Sequence, residues 1–437
     1  MSQLPHSIKF SALAGRRPPT DVTCATHLEC VYCLSKFPLA DYFEGCPTCA
    51  IDGWRANLSV RYDYERAAQA FRDLPTRSAR GVWGYAPLLP VGAPGPELLL
   101  GEGNTPLVQI PRLAATLNLS HIWVKDESRN PTWSHKDRLA TVGIARAMGS
   151  APSAVTVAST GNHGAATAAY GARAGLRTVV FTSQGTPPVM EALLRAYGAA
   201  VVRVASKERR WELMTEAVRA FRWFPMGTFA PHRVGNPYGL EGYKTISYEI
   251  WRDLGRVPEW VVVPVSTGDA LYGIWKGFWE LHQMNVTSAI PRMLAVEISG
   301  PLERAMRQGL DRVESVPGRP SIAFSIGGNS AGHHALVSLR ASSGAAVTVD
   351  DPSILEAQAA LAREGLFVEP AAAATIAGLR RMVEAGRIKQ DGPVVCILTS
   401  GGLKDPSVNQ KGEEAPLFTG PLEALPGYLR AHYQFSP

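Results

Sequence analysis

The 437-residue chain is predicted to be an α/β protein with parallel sheets covered by helices and a cysteine-rich module at its N-terminus. Three observations lead to this prediction. Short β-branched apolar runs alternate with helical segments from Ile122 onward. Three of these runs end in turns rich in Gly, Ser and Thr. Two Cys-x-x-Cys pairs lie before residue 50.

The length and composition predict two or three domains with a sizeable core. No apolar stretch is long enough to span a bilayer, and residues 1–20 do not have the pattern of a secretory signal, so we expect a cytoplasmic protein without a membrane partner. The net charge of +6 is modest and dispersed. Its densest cluster, residues 207–210, is interpreted as a solvated helix start, and no nucleic-acid partner is expected.

The N-terminal module is defined by four cysteines in two knuckle-like pairs, which together can close a tetrahedral zinc site. In a chain without an export signal, disulfides are the poorer interpretation. A zinc ribbon with a structural Zn²⁺ is therefore predicted, with Cys24 and His27 as substitute ligands and reduced cysteines without metal as the alternative. The predicted ligands are Cys30, Cys33, Cys46 and Cys49.

The secondary structure after this module follows apolar periodicity and turn residues. Residues 62–74 have helical spacing, and Gly-rich and Pro-rich residues 84–96 predict an irregular connector. The other predicted strands are 121–125, 177–181 and 200–204, and the other predicted helices are 188–197 and 210–221.

Each of the three glycine-bearing turns follows a buried strand and opens a helix. Strands 154–158, 260–265 and 394–399 precede Ser159–Gly164, Ser266–Ala270 and Ser400–Asp405, respectively. Small residues at such junctions let backbone N–H groups and a helix N-terminus approach an anion. Three such junctions predict one site that binds a phosphate and a carboxylate.

Lys136, in the string Asn-Pro-Thr-Trp-Ser-His-Lys-Asp-Arg, is the candidate catalytic residue. A lysine at the mouth of a helix can form a Schiff base with an aldehyde cofactor if its surroundings keep it partly unprotonated. Outside such a context it would be interpreted as a surface charge.

The combination resembles the fold-type II pyridoxal phosphate enzymes, a tryptophan synthase β-like fold, and within them threonine synthase. The resemblance covers about residues 101–406. It rests on the cofactor-lysine string 130–138 and on motifs in matching order at 100–107, 236–245, 365–370 and 398–406.

The resemblance implies two α/β domains with the cofactor in the cleft between them. The zinc-ribbon-like module would occupy residues 1–58, the large cofactor-binding domain 59–138 and 229–437, and the smaller domain 139–228. The glycine-containing loop 315–334 is expected to help close the cleft.

The same resemblance assigns roles to residues. Lys136 would bind the pyridoxal phosphate, and Ser266, Thr267, Gly268, Asp269 and Ala270 would surround its phosphate. Asn162 would contact its ring oxygen and Thr399 its ring nitrogen, with Ser400 as the fallback. Asp269, where the family has more glycine, is interpreted as a cap for backbone N–H groups. The expected substrate contacts are Ser159, Thr160, His163, Arg138 and Lys244.

The sequence departs from the family near the substrate. Gly239 stands where an arginine is common, so Arg138 and Lys244 remain as phosphate contacts, and His232 or Arg233 could compensate. Trp133 and His135 replace the usual glycine and aromatic residue, and an inward Trp133 would narrow the pocket.

The function is predicted to be that of a lyase that removes the Cα proton of an amino acid and then eliminates or replaces a β or γ group. In the strict threonine synthase-like form, O-phosphohomoserine becomes threonine. One alternative is an ammonia-lyase or β-replacement enzyme on a hydroxy-, phospho- or diamino-acid, and another is a catalytically dead zinc-ribbon adaptor. The expected partner is an amino-acid substrate, phosphorylated or not, and a homodimer is a possible assembly.

Overall fold

The computed structural model describes residues 23–50, 54–74, 80–229, 233–389, 392–406 and 415–435. The chain divides into two compact units, Met1–Lys404 and Asp405–Pro437. Among the described residues, no helix is both long and apolar enough to cross a membrane.

The N-terminal module is a small antiparallel sheet followed by a helix. Strand β1 (Ala25–Cys30) pairs with β2 (Lys36–Phe37) and with β3 (Leu58–Tyr62). Helix α1 (Tyr64–Arg72) follows and begins at Asp63, whose carboxylate accepts the N–H of Arg66. The predicted helix at 62–74 is thus present and slightly shorter. The N-terminal residues 1–22 of the predicted module lie outside the described residues.

The smaller sheet has four parallel strands in the order β8-β7-β6-β9. Parallel strands need helical crossovers, and the apolar runs and helical segments alternate accordingly. All of its strands lie within the predicted smaller domain, whose boundaries stay a prediction. The strands are β6 (Val155–Ala158), β7 (Thr178–Ser183), β8 (Ala200–Val204) and β9 (Phe224–Pro225), and the helices around them are α3 (Lys136–Ser150), α4 (Asn162–Arg173), α5 (Pro188–Ala196) and α6 (Lys207–Phe221).

The larger sheet has six strands in the order β12-β11-β10-β13-β5-β4, parallel except for the edge strand β4. Its strands are β4 (Leu107–Gln109), β5 (Ile122–Asp126), β10 (Trp260–Pro264), β11 (Arg292–Glu297), β12 (Ala345–Thr348) and β13 (Val394–Leu398). Its helices are α2 (Pro111–Thr116), α7 (Lys244–Leu254), α8 (Asp269–Gln283), α9 (Pro301–Gln308), α10 (His333–Ala341), α11 (Asp351–Arg363) and α12 (Pro370–Glu384).

The cores explain why the strand prediction succeeded. Strands β10 and β13 are buried along their whole length, as expected for parallel strands covered on both faces. The α/β architecture with parallel sheets is confirmed. Of residues 84–96, predicted as an irregular connector, 89–96 have no helix or strand, whereas 84–88 belong to a 3-10 helix, Gly81–Leu88. Buried apolar side chains such as Val82 and Trp83 hold this short helix in the core.

The second unit contains one short helix, α13 (Leu425–Tyr433), preceded by a 3-10 turn at Leu422–Ala424. Tyr428 packs its ring against Phe418 and His432 within this unit.

Candidate active site

One pocket lies where the carboxyl ends of β6, β10 and β13 meet. It is lined by Lys136, by the turn Ala158–His163 after β6, by the turn Pro264–Leu271 after β10, and by Thr399 after β13. In parallel sheets, ligands bind beyond the carboxyl ends of the strands, where helix N-termini converge. The structure therefore brings Lys136 together with two of the three predicted turns, and with the first residue after the third strand.

Lys136 is the first residue of α3, and its amine donates a hydrogen bond to the hydroxyl of Tyr243 at 2.9 Å. Burial lowers the pKa of Lys136 below its ordinary value, although the charges of Asp269 and Glu369 oppose this shift. The lysine is held in place because the preceding residue, His135, donates its backbone N–H to Thr399 and stacks its ring on Tyr243. A partly unprotonated amine is the form that attacks an aldehyde.

The turn between β10 and α8 is shaped by Gly268, which has a φ of +99°. A Cβ atom there would lie 2.3 Å from that of Ala335, so this position accepts only glycine without rearrangement. The N-terminus of α8 follows directly and points its free N–H groups into the pocket. The turn is a backbone cradle for an anion, with Ser266, Thr267 and Ala270 on its lining.

Asp269 does not cap backbone N–H groups, contrary to our prediction. Its carboxylate instead accepts hydrogen bonds from the Thr267 hydroxyl at 2.9 Å and from His334 Nε2 at 3.0 Å. Burial opposes ionisation, but the hydrogen bond and charge of His334, helped by Lys136, lower the pKa of Asp269 to about 2. The carboxylate is thus held by a side-chain partner that sequence spacing could not reveal.

The turn between β6 and α4 carries a second set of polar groups. The Ser159 hydroxyl accepts the N–H of Gly161 at 3.1 Å, and Thr160 and Asn162 line the pocket beside it. His163 also lines the pocket, and its Nε2 is buried without a hydrogen-bond partner among the described residues. Burial, with the charge of Lys136, lowers the pKa of His163 to about 3. The ring is therefore neutral, and its Nε2 is a buried polar atom beside the site.

Asn162 and Thr399 come together at the base of the pocket. The Asn162 amide donates to both oxygens of Glu369 at 3.1 Å. Thr399 lines the pocket, and its carbonyl accepts the backbone N–H of His135. Ser400 instead donates its hydroxyl to the carbonyl of Trp133 at 3.0 Å.

Arg138 and Lys244, proposed from the sequence as phosphate contacts, lie outside the pocket. Arg138 is fully buried between Glu127 and Glu249, with ion pairs of 2.7 Å to each. Lys244 is fully buried and pairs with Glu241 at 2.8 Å. Each cation already has its carboxylates, so neither is available to a substrate in this arrangement.

Two further positions that depart from the family also lie outside the pocket lining. Trp133 is 48% exposed and has a φ of +59°, so it does not narrow the pocket. Gly239 is buried, and a Cβ there would lie 3.2 Å from Leu139, so a larger side chain at this position meets the core. His232 lies outside the described residues.

A family profile for pyridoxal-phosphate dependent enzymes matches residues 98–400, which include all of the pocket described above. The chain belongs to this family.

Curated relatives within the family are threonine synthases. The chain is 37% identical over 410 residues to the threonine synthase of Methanosarcina acetivorans, covering 91% of this chain and 97% of the relative. It is 35% identical over 398 residues to that of Methanocaldococcus jannaschii, covering 89% and 95%. This member of the family is therefore a pyridoxal-phosphate-dependent lyase of the elimination and replacement type, threonine synthase-like.

Solved structures show the same fold at lower identity. Maize serine racemase superimposes with a TM-score of 0.61 at 19% identity, covering 70% of this chain and 90% of that chain. The processed threonine deaminase isoform 2 of Solanum lycopersicum has a TM-score of 0.60 at 20% identity, covering 70% and 81%. The predicted fold-type II architecture is confirmed.

The pocket fits the family's cofactor on two observations. Lys136 presents an amine of lowered pKa, and Gly268 leaves a backbone cradle that a side chain would fill. An aldehyde needs the first and a phosphate needs the second.

The loop predicted to help close the cleft also contributes to the lining. Phe324, Ser325, Ile326 and Gly328 face the pocket, and the loop is pinned because Gly332 donates its N–H to the carbonyl of Thr267 at 2.9 Å. At its end, His334 reaches Asp269.

Among the residues without a role assigned from the sequence, three bear on the chemistry of the site: Tyr243, which accepts a hydrogen bond from Lys136, and Glu369 and Arg210, which line the pocket. The first two lie inside motifs that carried the family resemblance, so their position was visible but their partners were not. Arg210 was hidden in a basic cluster interpreted as solvated. Its helical spacing to Met214 and Ala217, both buried, is the signal that could have found it.

The four predicted metal ligands are brought together in the N-terminal module. Their sulfur atoms all lie within 4.8 Å of one another, with 3.6 Å between Cys30 and Cys49 and between Cys33 and Cys46. Tetrahedral zinc–thiolate bonds of about 2.3 Å place sulfur atoms roughly 3.8 Å apart. None of the described cysteines forms a disulfide. Cys24 is buried and not part of the cluster.

Proposed function

We propose that this enzyme acts on an amino acid with a phosphorylated side chain, and in the strict form converts O-phosphohomoserine to threonine. The observation that carries the proposal is the buried amine of Lys136, which shares one pocket with two helix N-termini. Two anion sites and one reactive amine match an α-amino acid and a phosphorylated aldehyde cofactor. The relatives named above support the reaction.

Four parts of the pocket would hold the cofactor. Lys136 would bind its aldehyde, Ser266–Ala270 its phosphate, Asn162 its ring oxygen and Thr399 its ring nitrogen. When bound, pyridoxal phosphate stabilises negative charge at the substrate's Cα. A neutral hydroxyl at Thr399 leaves the ring nitrogen unprotonated, which suits elimination and replacement better than amino transfer.

The turn Ser159–His163 would hold the substrate α-carboxylate at the N-terminus of α4. The amine of Lys136, on the lining of the same pocket, would accept and return protons at Cα and Cβ of the substrate. His163 stays neutral, so we assign it a hydrogen bond through Nε2 and no role as an acid.

We also propose that the cysteine cluster holds a structural Zn²⁺. Four thiolates fill a tetrahedral shell and leave no open position for a substrate, so the metal would stabilise the module without taking part in catalysis. The cytoplasmic location, the absence of a nucleic-acid partner and the homodimer stay predictions.

A second candidate is an ammonia-lyase or β-replacement enzyme. It is favoured by the buried position of Gly239, which cannot supply a cation to a leaving phosphate. Assays of O-phosphohomoserine beside serine, threonine, phosphoserine and diaminopropionate would separate the two. Turnover of the others without O-phosphohomoserine would exclude the strict form. The dead-adaptor alternative requires a protein that binds no cofactor.

The proposal is tested first with Lys136→Ala. We expect this variant to lose the visible absorbance of the bound cofactor and all turnover while keeping its far-ultraviolet circular dichroism, because no other lysine lines the described pocket. Lys36→Ala, which removes an exposed lysine in β2, is the control and should behave as the parent. Borohydride reduction that attaches the cofactor to another lysine would contradict the assignment.

A further inference from the structure

Two arginines lie against one tryptophan at the side of the pocket formed by α6. The guanidinium carbon of Arg210 is 4.5 Å from the centroid of the Trp211 ring, and that of Arg233 is 4.3 Å from it. Arg210 and Trp211 line the same pocket as Lys136, together with Thr228. One aromatic side chain of the pocket lining therefore carries two cations, Arg210 from the lining itself and Arg233 from beside it.

Arg210 lacks the partners that a buried cation needs. Only 5% of its surface is exposed, and its Nε and Nη1 atoms have no hydrogen-bond partner among the described residues. Burial, together with the like charge of Arg233, lowers the pKa of Arg210 to about 10. An arginine left in this state is destabilising unless an anion completes its environment.

The other buried cations of this enzyme show the contrast. Arg138, Lys244 and Lys276 are each surrounded by glutamates in ion pairs. Within the described part of the chain, no ion pair within 4 Å involves Arg210 or Arg233, although the charge of Glu208 acts on both from farther away. These three cations are charge-compensated, whereas the two cations that line the pocket, Lys136 and Arg210, form no ion pair among the described residues.

Arg233 is also held in an unusual backbone conformation. Its φ is +55°, the left-handed region that a residue with a long side chain rarely adopts. It follows residues 230–232, which lie outside the described residues. Its neighbour Val234 pairs with Phe229 in a β-bridge. Backbone strain of this kind is retained where the surroundings fix a functional side chain.

The arginine pair is separate from the cradle assigned to the cofactor phosphate. That cradle is the β10–α8 turn of the larger sheet, whereas Arg210 belongs to α6 beside the smaller sheet. The turn at Ser159–His163, which is assigned to the α-carboxylate, lies on the same lining, and Gly227 next to Thr228 approaches His163. An amino acid bound at that turn would extend its side chain along this wall.

We propose that Arg210 and Arg233 bind the distal phosphate of the substrate. Two forked guanidinium groups match a dianionic tetrahedral group in both charge and hydrogen-bond geometry. The inference rests on the proposed function, because it assumes that the amino end of the substrate is held at Lys136. The arginines are binding and specificity residues, and elimination would release the phosphate beside them.

The test uses the holoenzyme and two ligands. The first is the phosphonate analogue of O-phosphohomoserine, in which a methylene group replaces the ester oxygen and which cannot lose its phosphorus group. The second is an amino acid of the same chain length that ends in a methyl group. We expect Arg210→Gln to weaken binding of the phosphonate by roughly ten- to a hundredfold and to leave the uncharged ligand within about twofold of the parent.

Arg209→Gln is the matched control. Arg209 is the neighbouring residue in α6, but it is exposed and pairs with Glu216 at 2.7 Å. The Arg209→Gln variant should bind both ligands with the affinity of the parent. Arg233→Gln, at a half-buried position, provides a second variant if Arg210→Gln does not fold. It should also weaken binding of the phosphonate and leave binding of the uncharged ligand unchanged. Parental phosphonate binding in both folded variants would refute the subsite.

Failure of the subsite can be told apart from failure of the proposed function. Calorimetric titration of inorganic phosphate measures the arginine pair in parent and variants without requiring turnover. If the parent binds cofactor at Lys136 and the variants bind phosphonate normally, the subsite is wrong and the proposed function stands. If Lys136 is not the cofactor lysine, but Arg210→Gln still weakens inorganic phosphate binding, the proposed function fails and the anion site remains.

Discussion

At the scale of single residues, the environment of each lysine separates the reactive amine from the structural ones. Lys125 and Lys244 are fully buried in contact with glutamates at 2.7 and 2.8 Å, whose charge offsets part of the lost hydration, and burial still lowers the pKa of Lys125. Lys136 has a tyrosine hydroxyl as its nearest partner and carboxylates only as more distant charges. Without a directly bonded carboxylate to offset the loss of hydration, its neutral form is favoured.

The pKa of His163 gives a prediction on stability. It is lowered to about 3 by burial, so the folded protein does not bind this proton in the window from about pH 6.5 down to about pH 3, whereas the unfolded chain does. The free energy of unfolding should therefore decrease as the pH is lowered through that window. When the pH is lowered from 7.5 to 5, we expect the free energy of unfolding of His163→Gln to decrease by about 2 kcal/mol less than that of the parent. Chemical denaturation at the two pH values measures this difference.

The exposed His121 supplies the control for this measurement. His121→Gln should keep the parent's loss of stability between the two pH values. An identical loss in His163→Gln and in the parent would show that the His163 ring is protonated in the folded state.

How far the sequence could predict the site depends on where the partners of each residue lie in the chain. Lys136 and the turns were predictable because a few adjacent residues carry their chemistry. The partner of Asn162 lies 207 residues away at Glu369, and that of Asp269 lies 65 residues away at His334. Such pairs depend on how helices pack, and local spacing does not contain that information.

At the scale of elements, the turn between β10 and α8 is fixed from two sides. Gly268 has a left-handed backbone, and the α10 entrance is bonded to Thr267 through Gly332 and to Asp269 through His334. The place of Gly268 in an anion-binding turn was predicted from the junction pattern alone. The contacts from α10 were not predicted, because the long loop before α10 has no periodicity that fixes its path.

Gly268→Ala should therefore weaken cofactor binding more than it weakens the fold. The new Cβ meets Ala335, and the positive φ costs about 1–3 kcal/mol, both at the cradle itself. We expect the dissociation constant of pyridoxal phosphate to rise at least about tenfold, measured by equilibrium dialysis. Gly149→Ala, where nothing lies within 4 Å and φ is ordinary, is the control and should leave it unchanged. Equal cofactor affinity in both variants would show that the turn at Gly268 does not bind the cofactor phosphate.

At the scale of the whole molecule, the cysteine module is connected to the pocket through a short chain of rings. Tyr32, between two of the cysteines, contacts Trp54 and His333 at centroid distances of 5.1 Å each, and Arg312 covers Trp54 at 4.2 Å. His333 opens α10, and the next residue, His334, holds Asp269 in the pocket. A structural zinc without an open coordination position takes no direct part in catalysis. The contacts predict an indirect effect.

Cys46→Ser tests this connection. Removing one ligand should release the metal, destabilise the module and loosen the α10 entrance, so that cofactor affinity falls several-fold as a consequence. Tyr32→Ala separates the two causes, because it removes the ring contact and leaves all four thiolates in place. We expect it to keep stoichiometric zinc by metal analysis while it reproduces the loss of cofactor affinity. If Cys46→Ser loses its metal and the site binds cofactor as in the parent, the module stabilises only itself, and the ring contacts with α10 do not transmit its state.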